Sequence, residues 1–303
     1  MIAVFGPTGI GKSAVVVELA RMLEARGETP VAINCDAIQV YRGLELISGA
    51  VTAEDAGDIE HRLTAFVPVD EEFSAGKYAE RAHAEIDGIL DEGGTAILVG
   101  GTGLYLRAAL CEIDFRPAVP EALRAQVEAE LEGAGAAALH AGLPAEYREA
   151  IHPNDRKRIA RTVELLRDGQ VPARDHRGGG ELWTARLRRP ARLFGLVEDD
   201  DELMRRISVR VDRMVETGAG EEARRAEAAG ASRTARAAIG FEEFINGDTE
   251  RIKLLHRRYG RRQMTWMRRM DGVTVLERVG RGDRDVASDM LARIESGRAE
   301  MQA

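Results

Sequence analysis

Gly6-Pro7-Thr8-Gly9-Ile10-Gly11-Lys12-Ser13 follows the short apolar run Ile2–Phe5 and precedes a stretch rich in alanine, valine and leucine. The eight residues match G-x-x-x-x-G-K-[ST], between a β-prone run and a helix-forming one. In that context the pattern cradles an anion. Glycines let successive backbone N–H groups turn toward one point, and the helix N-terminus adds a positive dipole end. Lys12 contributes a mobile point charge and Ser13 a hydroxyl able to ligate Mg²⁺. Gly6, Pro7, Thr8, Gly9, Ile10, Gly11, Lys12 and Ser13 are therefore candidate diphosphate-binding residues. The loop asks for a diphosphate or triphosphate and does not say which molecule carries it.

Outward from the loop, residues 14–25 read as a helix stopped by Gly27, and 31–34 as a second strand. Ser74 caps a helix reaching Leu90, Gly93-Gly94 breaks it, 95–99 is a third strand, and an apolar helix starts at Leu104. Strands alternating with helices predict an α/β fold with a parallel sheet covered on both faces. Pro117 and Pro120 then mark a break, and 121–166 reads as helices only. In one of these, capped by Asn154 or Asp155, Ile159, Val163 and Leu166 share a face, while Lys157, Arg158 and Arg161 lie on another. Residues 174–181 read as a glycine tip. Arg192–Val197 reads as a strand, and Asp199 or Asp200 caps a helix to Val215. Two more helices, the last arginine-rich, and a strand at 273–276 complete the pattern. The expected organisation is a P-loop core in two parts, 1–116 and 191–303, interrupted by an all-helical insertion domain at 117–190.

The chain has 303 residues, 44% of them hydrophobic, enough for one large or two moderate domains. No run of about 18 apolar residues predicts a membrane span. No basic region or cleavage site of a secretory leader precedes the loop. Two cysteines, Cys35 and Cys111, lack metal-ligand spacing, so a reducing, cytoplasmic setting is expected. The net charge of −8 argues against nucleic acid as a sum, but binding follows local fields. Arg251, Lys253, Arg257, Arg258, Arg261, Arg262, Arg268 and Arg269 occupy an acid-free stretch. Arg156, Lys157, Arg158 and Arg161 form a second basic cluster.

Two further turns follow strands. Asp36 opens Asp36-Ala37-Ile38-Gln39-Val40-Tyr41-Arg42-Gly43, and Thr102 lies in Gly100-Gly101-Thr102-Gly103-Leu104-Tyr105. Ligands gather at the carboxyl ends of parallel strands, so both face the phosphate loop. Each also reads as a helix cap, Lys157 to Arg161 as a solvated helix face, and Trp266 as core.

With these segments the chain resembles the tRNA dimethylallyltransferases, also called tRNA isopentenyltransferases. The resemblance adds Ile151-His152-Pro153-Asn154-Asp155 with Arg158 and Arg161, and Arg261-Arg262-Gln263-Met264-Thr265-Trp266-Met267-Arg268. The phosphate loop is widespread; these last two segments are far more specific. Three departures stand out. The family's G-T-A-K-P is replaced by Ser48-Gly49-Ala50-Val51-Thr52, its H-H-x-I-D by Glu60-His61-Arg62-Leu63-Thr64, and its threonine before the C-terminal-helix arginine by His256.

The resemblance implies transfer of a dimethylallyl group from dimethylallyl diphosphate to N6 of the adenosine 3′ of the anticodon. Asp36 would take the amine proton, with Thr102 orienting the amine. Lys12, the loop amides, Mg²⁺ on Ser13 and Arg257 would hold the leaving diphosphate. The base, turned out of its stack, would lie against Asp36, Ala37, Ile38, Gln39 and Thr102, with Gln39 reading its Watson–Crick edge. Arg124, Lys157, Arg158, Ile159, Ala160 and Arg161 would grip the anticodon stem–loop, and Arg261, Arg262, Gln263 and Arg268 would contact tRNA as well. Neither a membrane nor an obligate protein partner is implied. The rival readings are a small-molecule P-loop kinase, an adenylate dimethylallyltransferase acting on AMP, and a non-catalytic tRNA-binding module.

Overall fold

A strand with apolar side chains on both faces belongs in the middle of a parallel sheet. β1 (Ile2–Phe5) is buried at all four positions. In this computed structural model, which describes residues 1–172 and 187–302, it lies at the centre of a six-stranded sheet. The strands are β1, β2 (Pro30–Asn34), β3 (His61–Arg62), β4 (Thr95–Gly100), β5 (Arg192–Val197) and β6 (Val273–Glu277), in the order β3-β2-β4-β1-β5-β6. Every pairing is parallel. Phe5 is in register with both Gly100 and Gly195, so the turns after β1, β4 and β5 leave from one edge. β3 was not expected; two residues are too short to show a period.

The helices follow from their caps and apolar stripes. α1 (Lys12–Glu24) buries Val15, Val16, Leu19, Ala20 and Leu23. α2 (Glu45–Ser48) and α3 (Ala53–Ala56) are single turns. α4 (Ala75–Asp91) is capped by Ser74, whose hydroxyl accepts from the Lys77 amide, and α5 is Gly103–Leu110. α6 (Glu121–Gly133), α7 (Gly135–Ala141), α8 (Ala145–Ala150) and α9 (Arg156–Arg167) come next; Asp155 caps α9. α10 (Asp200–Glu216) is capped by Asp199. Three helices follow it rather than two: α11 (Ala219–Ala228), α12 (Phe241–Asn246) and α13 (Thr249–Met267). Gly247 in the left-handed region ends α12, and Asp248 caps α13 at once. α14 (Asp283–Gln302), also not expected, adds Val286, Ala287, Met290, Leu291 and Ile294 to the core around α1.

The described residues fall into two units, Met1–Glu112 with Ala185–Ala303, and Ile113–Thr184. The second unit has its own core of Val127, Leu143, Tyr147, Ile151, Ile159 and Val163. It starts at Ile113, and within it Arg161 of α9 donates to the Pro117 carbonyl at 2.9 Å. The first unit resumes before 191, where the Arg188 amide donates to Leu110 O at 2.8 Å and its guanidinium pairs with Asp87. The expected glycine tip at 174–181 lies outside the described residues. Among those described, no helix is long and apolar enough to cross a membrane, and Cys35 and Cys111 are free and buried.

Candidate active site

The loop after β1 bends through Gly9 and Gly11, at φ +80° and +86°, where a side chain would be strained. Lys12 Nζ folds back over it, donating to Gly6 O and Pro7 O at 3.0 Å each. Behind the loop, the buried Arg278 donates to Ile10 O and pairs with Asp283 at 2.5 Å. In a trans peptide the C=O and the next N–H point opposite ways. The Gly11 N–H, on the other side of that peptide, therefore points away from Arg278. A sequence reading of the loop does not find Arg278, which lies 265 residues beyond Ser13.

Gln263 has a different place from the one expected. It is 3% exposed; its Oε1 accepts from the Thr8 amide and its Nε2 donates to Gly101 O, both at 2.7 Å. It joins two loops inside the protein. It also occupies the Thr8 amide, which is then not offered to phosphate. A Cβ on Gly101 would displace the Gln263 amide, whose Nε2 stands too close to where it would be. One turn further along α13, the half-buried Trp266 ring lies on Gly103. The arginine–glutamine–tryptophan segment thus clamps the turn that presents Thr102.

Beside the loop is an excess of buried positive charge. Arg210 of α10 donates to Ser48 O at 2.8 Å, and its Nε is buried without a partner. Arg257 of α13 donates to Ser208 Oγ at 2.8 Å and leaves its own Nε unpartnered, as does His256 its Nδ1. Burial and then the Arg210 charge pull Lys12 down to about 7, against the pull of Asp36. Burial also lowers Arg210, again opposed by Asp36. His256 is held at about 4 by burial and by Arg210. Unpaired buried cations are costly, and an anion among them would relieve that cost. Arg210 was missed, yet it left a signal. It sits on the stripe of Leu203, Ile207, Val211 and Met214 that α10 buries, a charge where an apolar residue belongs.

Asp36 satisfies both of its readings with different oxygens. Oδ1 accepts from the Ile38 amide at 2.9 Å, a cap-like bond. Oδ2 receives the Thr102 hydroxyl at 3.3 Å. Thr102 occupies the N-cap position of α5 but makes no cap bond with its side chain. Its Oγ1 instead meets Asp36, the Ala37 amide at 3.2 Å and Tyr259 Oη at 3.2 Å. Gln39 donates from Nε2 to Gly49 O at 3.2 Å, so in this geometry its donor is committed to the protein rather than to the edge of a base. Ala37 and Ile38 are half-buried beside it.

In the helical unit the expected grip is divided. Ile159 is fully buried, and the half-buried Ala160 packs against the same core. Arg161 is held by Glu164 at 3.2 Å and by Pro117 O. Lys157 and Arg158 are exposed, the latter paired with Asp155 at 3.4 Å, and Arg124 is half-buried. At the end of α13, Arg261, Arg262 and Arg268 are exposed, with the Arg262 guanidinium over the Tyr259 ring at 5.6 Å.

A glycine loop closed by lysine at the carboxyl edge of an all-parallel sheet, with cations and a carboxylate beside it, defines a P-loop α/β protein. The chain belongs to the IPP transferase family, whose model matches residues 39–270. It is 38% identical to a tRNA dimethylallyltransferase of Anaeromyxobacter dehalogenans, covering 90% of this chain and 91% of that one. A tRNA dimethylallyltransferase of an Exiguobacterium species is 36% identical over 91% of this chain and 89% of its own. The crystal structure of a tRNA isopentenylpyrophosphate transferase from Bacillus halodurans is similar across 100% of this chain and 99% of that one. It has a TM-score of 0.69 at 27% identity.

Proposed function

We propose that this protein transfers a dimethylallyl group from dimethylallyl diphosphate to N6 of the adenosine 3′-adjacent to the anticodon of tRNA, releasing diphosphate. The observation that carries the reading is Asp36 Oδ2, paired with Thr102 at the same sheet edge as the phosphate loop. The N6 lone pair is delocalised into the purine, so the amine needs a base as its bond to carbon forms. The allylic C–O bond breaks, the N–C bond forms, and the amine proton passes to Asp36. A positioned base contributes about 10²–10⁴-fold. The departing diphosphate meets the Gly11 amide, Lys12, Arg210 and Arg257. Preorganised charge of this kind is usually the largest catalytic contribution.

Mg²⁺ fits as an ion carried in on the diphosphate. Among the described residues no group of three His, Cys, Asp or Glu could hold a metal, so its ligands would be phosphate oxygens and the Ser13 hydroxyl. Bound there, it would neutralise charge on the leaving group. Lys157 and Arg158 of the helical unit, and Arg261, Arg262 and Arg268, supply backbone contacts that set register rather than sequence. A tRNA substrate and two free thiols suit the cytoplasm.

The test is acceptor choice. Labelled dimethylallyl diphosphate is incubated with an anticodon stem–loop or with AMP, and γ-labelled ATP is run beside them. Label in the stem–loop alone is expected. Label in AMP alone would point to an adenylate prenyltransferase, and transfer of the γ-phosphate to a kinase.

A further inference from the structure

We infer that Tyr259 is a positioning residue that sets which way the Thr102 hydroxyl points, and so whether Asp36 Oδ2 is open to the incoming amine. This rests on the reading of Asp36 as the base. Tyr259 lies on α13, one turn before Gln263, and its hydroxyl sits 3.2 Å from Thr102 Oγ1 and 3.4 Å from Gly101 O. Thr102 Oγ1 lies in turn 3.3 Å from Asp36 Oδ2 and accepts the Ala37 amide at 3.2 Å. Burial, and then the Asp36 charge, hold the Tyr259 phenol well above its ordinary value, so it is a neutral O–H.

A hydroxyl has one proton and two lone pairs. With the Ala37 amide occupying one lone pair of Thr102, these distances allow two arrangements. In the first, Tyr259 donates to Thr102 and Thr102 donates to Asp36 Oδ2. In the second, both O–H bonds have rotated: Thr102 donates to Tyr259, and Tyr259 donates to Gly101 O. No proton changes owner. The first arrangement commits a lone pair of Oδ2 to the Thr102 hydroxyl, so that lone pair is not offered to the amine. The second removes that donor and leaves a lone pair of Oδ2 facing the amine. Tyr259 is the only group on Thr102 Oγ1, among the described residues, that can accept its proton in place of Asp36. Gln263 holds Gly101 O in place at 2.7 Å, and the carbonyl's second lone pair serves Tyr259.

The experiment is a double-mutant cycle in prenyl transfer to the stem–loop. Tyr259→Phe keeps the ring and its contact with Arg262 but removes the alternative acceptor. Its kcat should fall by roughly 10-fold, part of the usual contribution of a positioned base, with KM for donor and stem–loop unchanged. Thr102→Val keeps the shape and removes the hydroxyl. In that background Tyr259→Phe should cost nothing further, because residues acting through one hydroxyl are not additive. Asp36→Asn is measured alongside. If it retains the wild-type rate, the base reading falls and this inference with it. If Asp36→Asn loses the rate while Tyr259→Phe keeps kcat, raises KM, or adds its full loss to Thr102→Val, the base reading stands and the role given to Tyr259 is wrong.

Discussion

The protein uses arginine in two contrasting ways. Around the phosphate loop Arg278 is buried and Arg210 and Arg257 are half-buried; Arg210 and Arg257 rest on backbone carbonyls or a hydroxyl, Arg278 on a carbonyl and Asp283, and each leaves an Nε without a partner. On α9 of the helical unit the basic residues are exposed or paired with nearby acids, as Arg158 is with Asp155 and Arg161 with Glu164. In a water-poor pocket a charge interacts strongly and is oriented before the ligand arrives. On an exposed helix it is screened beyond about 8 Å at physiological salt and pays side-chain entropy. One region should therefore govern chemistry and donor affinity, insensitive to salt. The other should govern tRNA affinity and respond to salt.

The largest expected effect tests the interior. Asp36→Asn preserves shape and hydrogen bonding but not basicity, and kcat should fall by about 10²–10⁴-fold with both substrates still binding. A near-normal single-turnover rate would reduce Asp36 to the cap that its Oδ1 already is.

His256 gives a stability test of the same low-dielectric pocket. Its folded value is about 4 against an ordinary 6.5, so between those pH values the unfolded chain binds more protons than the folded one. Stability from this residue is complete above about 6.5 and is lost as pH falls toward 4, by on the order of 3 kcal/mol. His256→Gln should flatten that part of the pH dependence in denaturant melts. An unchanged slope would mean that the ring is not buried as described.

Arg210→Gln should weaken donor binding by roughly 10- to 100-fold, the worth of a charge-assisted hydrogen bond to a phosphate, and leave stem–loop affinity alone. Calorimetry with dimethylallyl diphosphate reads this directly. Equal donor affinity would remove Arg210 from the diphosphate pocket.

The smallest effect belongs to the helix. Lys157→Ala with Arg158→Ala should weaken stem–loop binding and lower its log–log salt slope by about 0.7 to 0.9 per contact. Donor affinity should not change. Arg161 is left out of this pair because its loss also releases Pro117 O. A salt slope equal to wild type would move the tRNA grip away from α9.

Much of this site was legible because a parallel sheet gathers its turns at one edge. A loop motif after β1, an acid after β2 and a threonine after β4 had to meet there, and Asp36 does meet Thr102. What was not legible came from reading motifs as strings rather than as faces. Gln263 belongs to the stripe of Ile252, His256, Gly260 and Met267 that α13 buries, at helical spacing. The resemblance, which treats the segment as one unit, assigns it to tRNA with its neighbours. Ile159 stands beside the arginines in sequence, but its spacing with Val163 sets it on the apolar face. Arg278 and β3 left too little pattern to be found: one depends on a contact across most of the chain, the other on two residues.

The central claim is best tested by locating the transferred group. The stem–loop is reacted with dimethylallyl diphosphate, digested to nucleosides and analysed by mass. The expected result is one modified adenosine per stem–loop, 3′ of the anticodon, with the five-carbon group on N6, and no product when that adenosine is replaced by guanosine. A prenyl group on another atom or position, or product formed from AMP but not from the stem–loop, would contradict it.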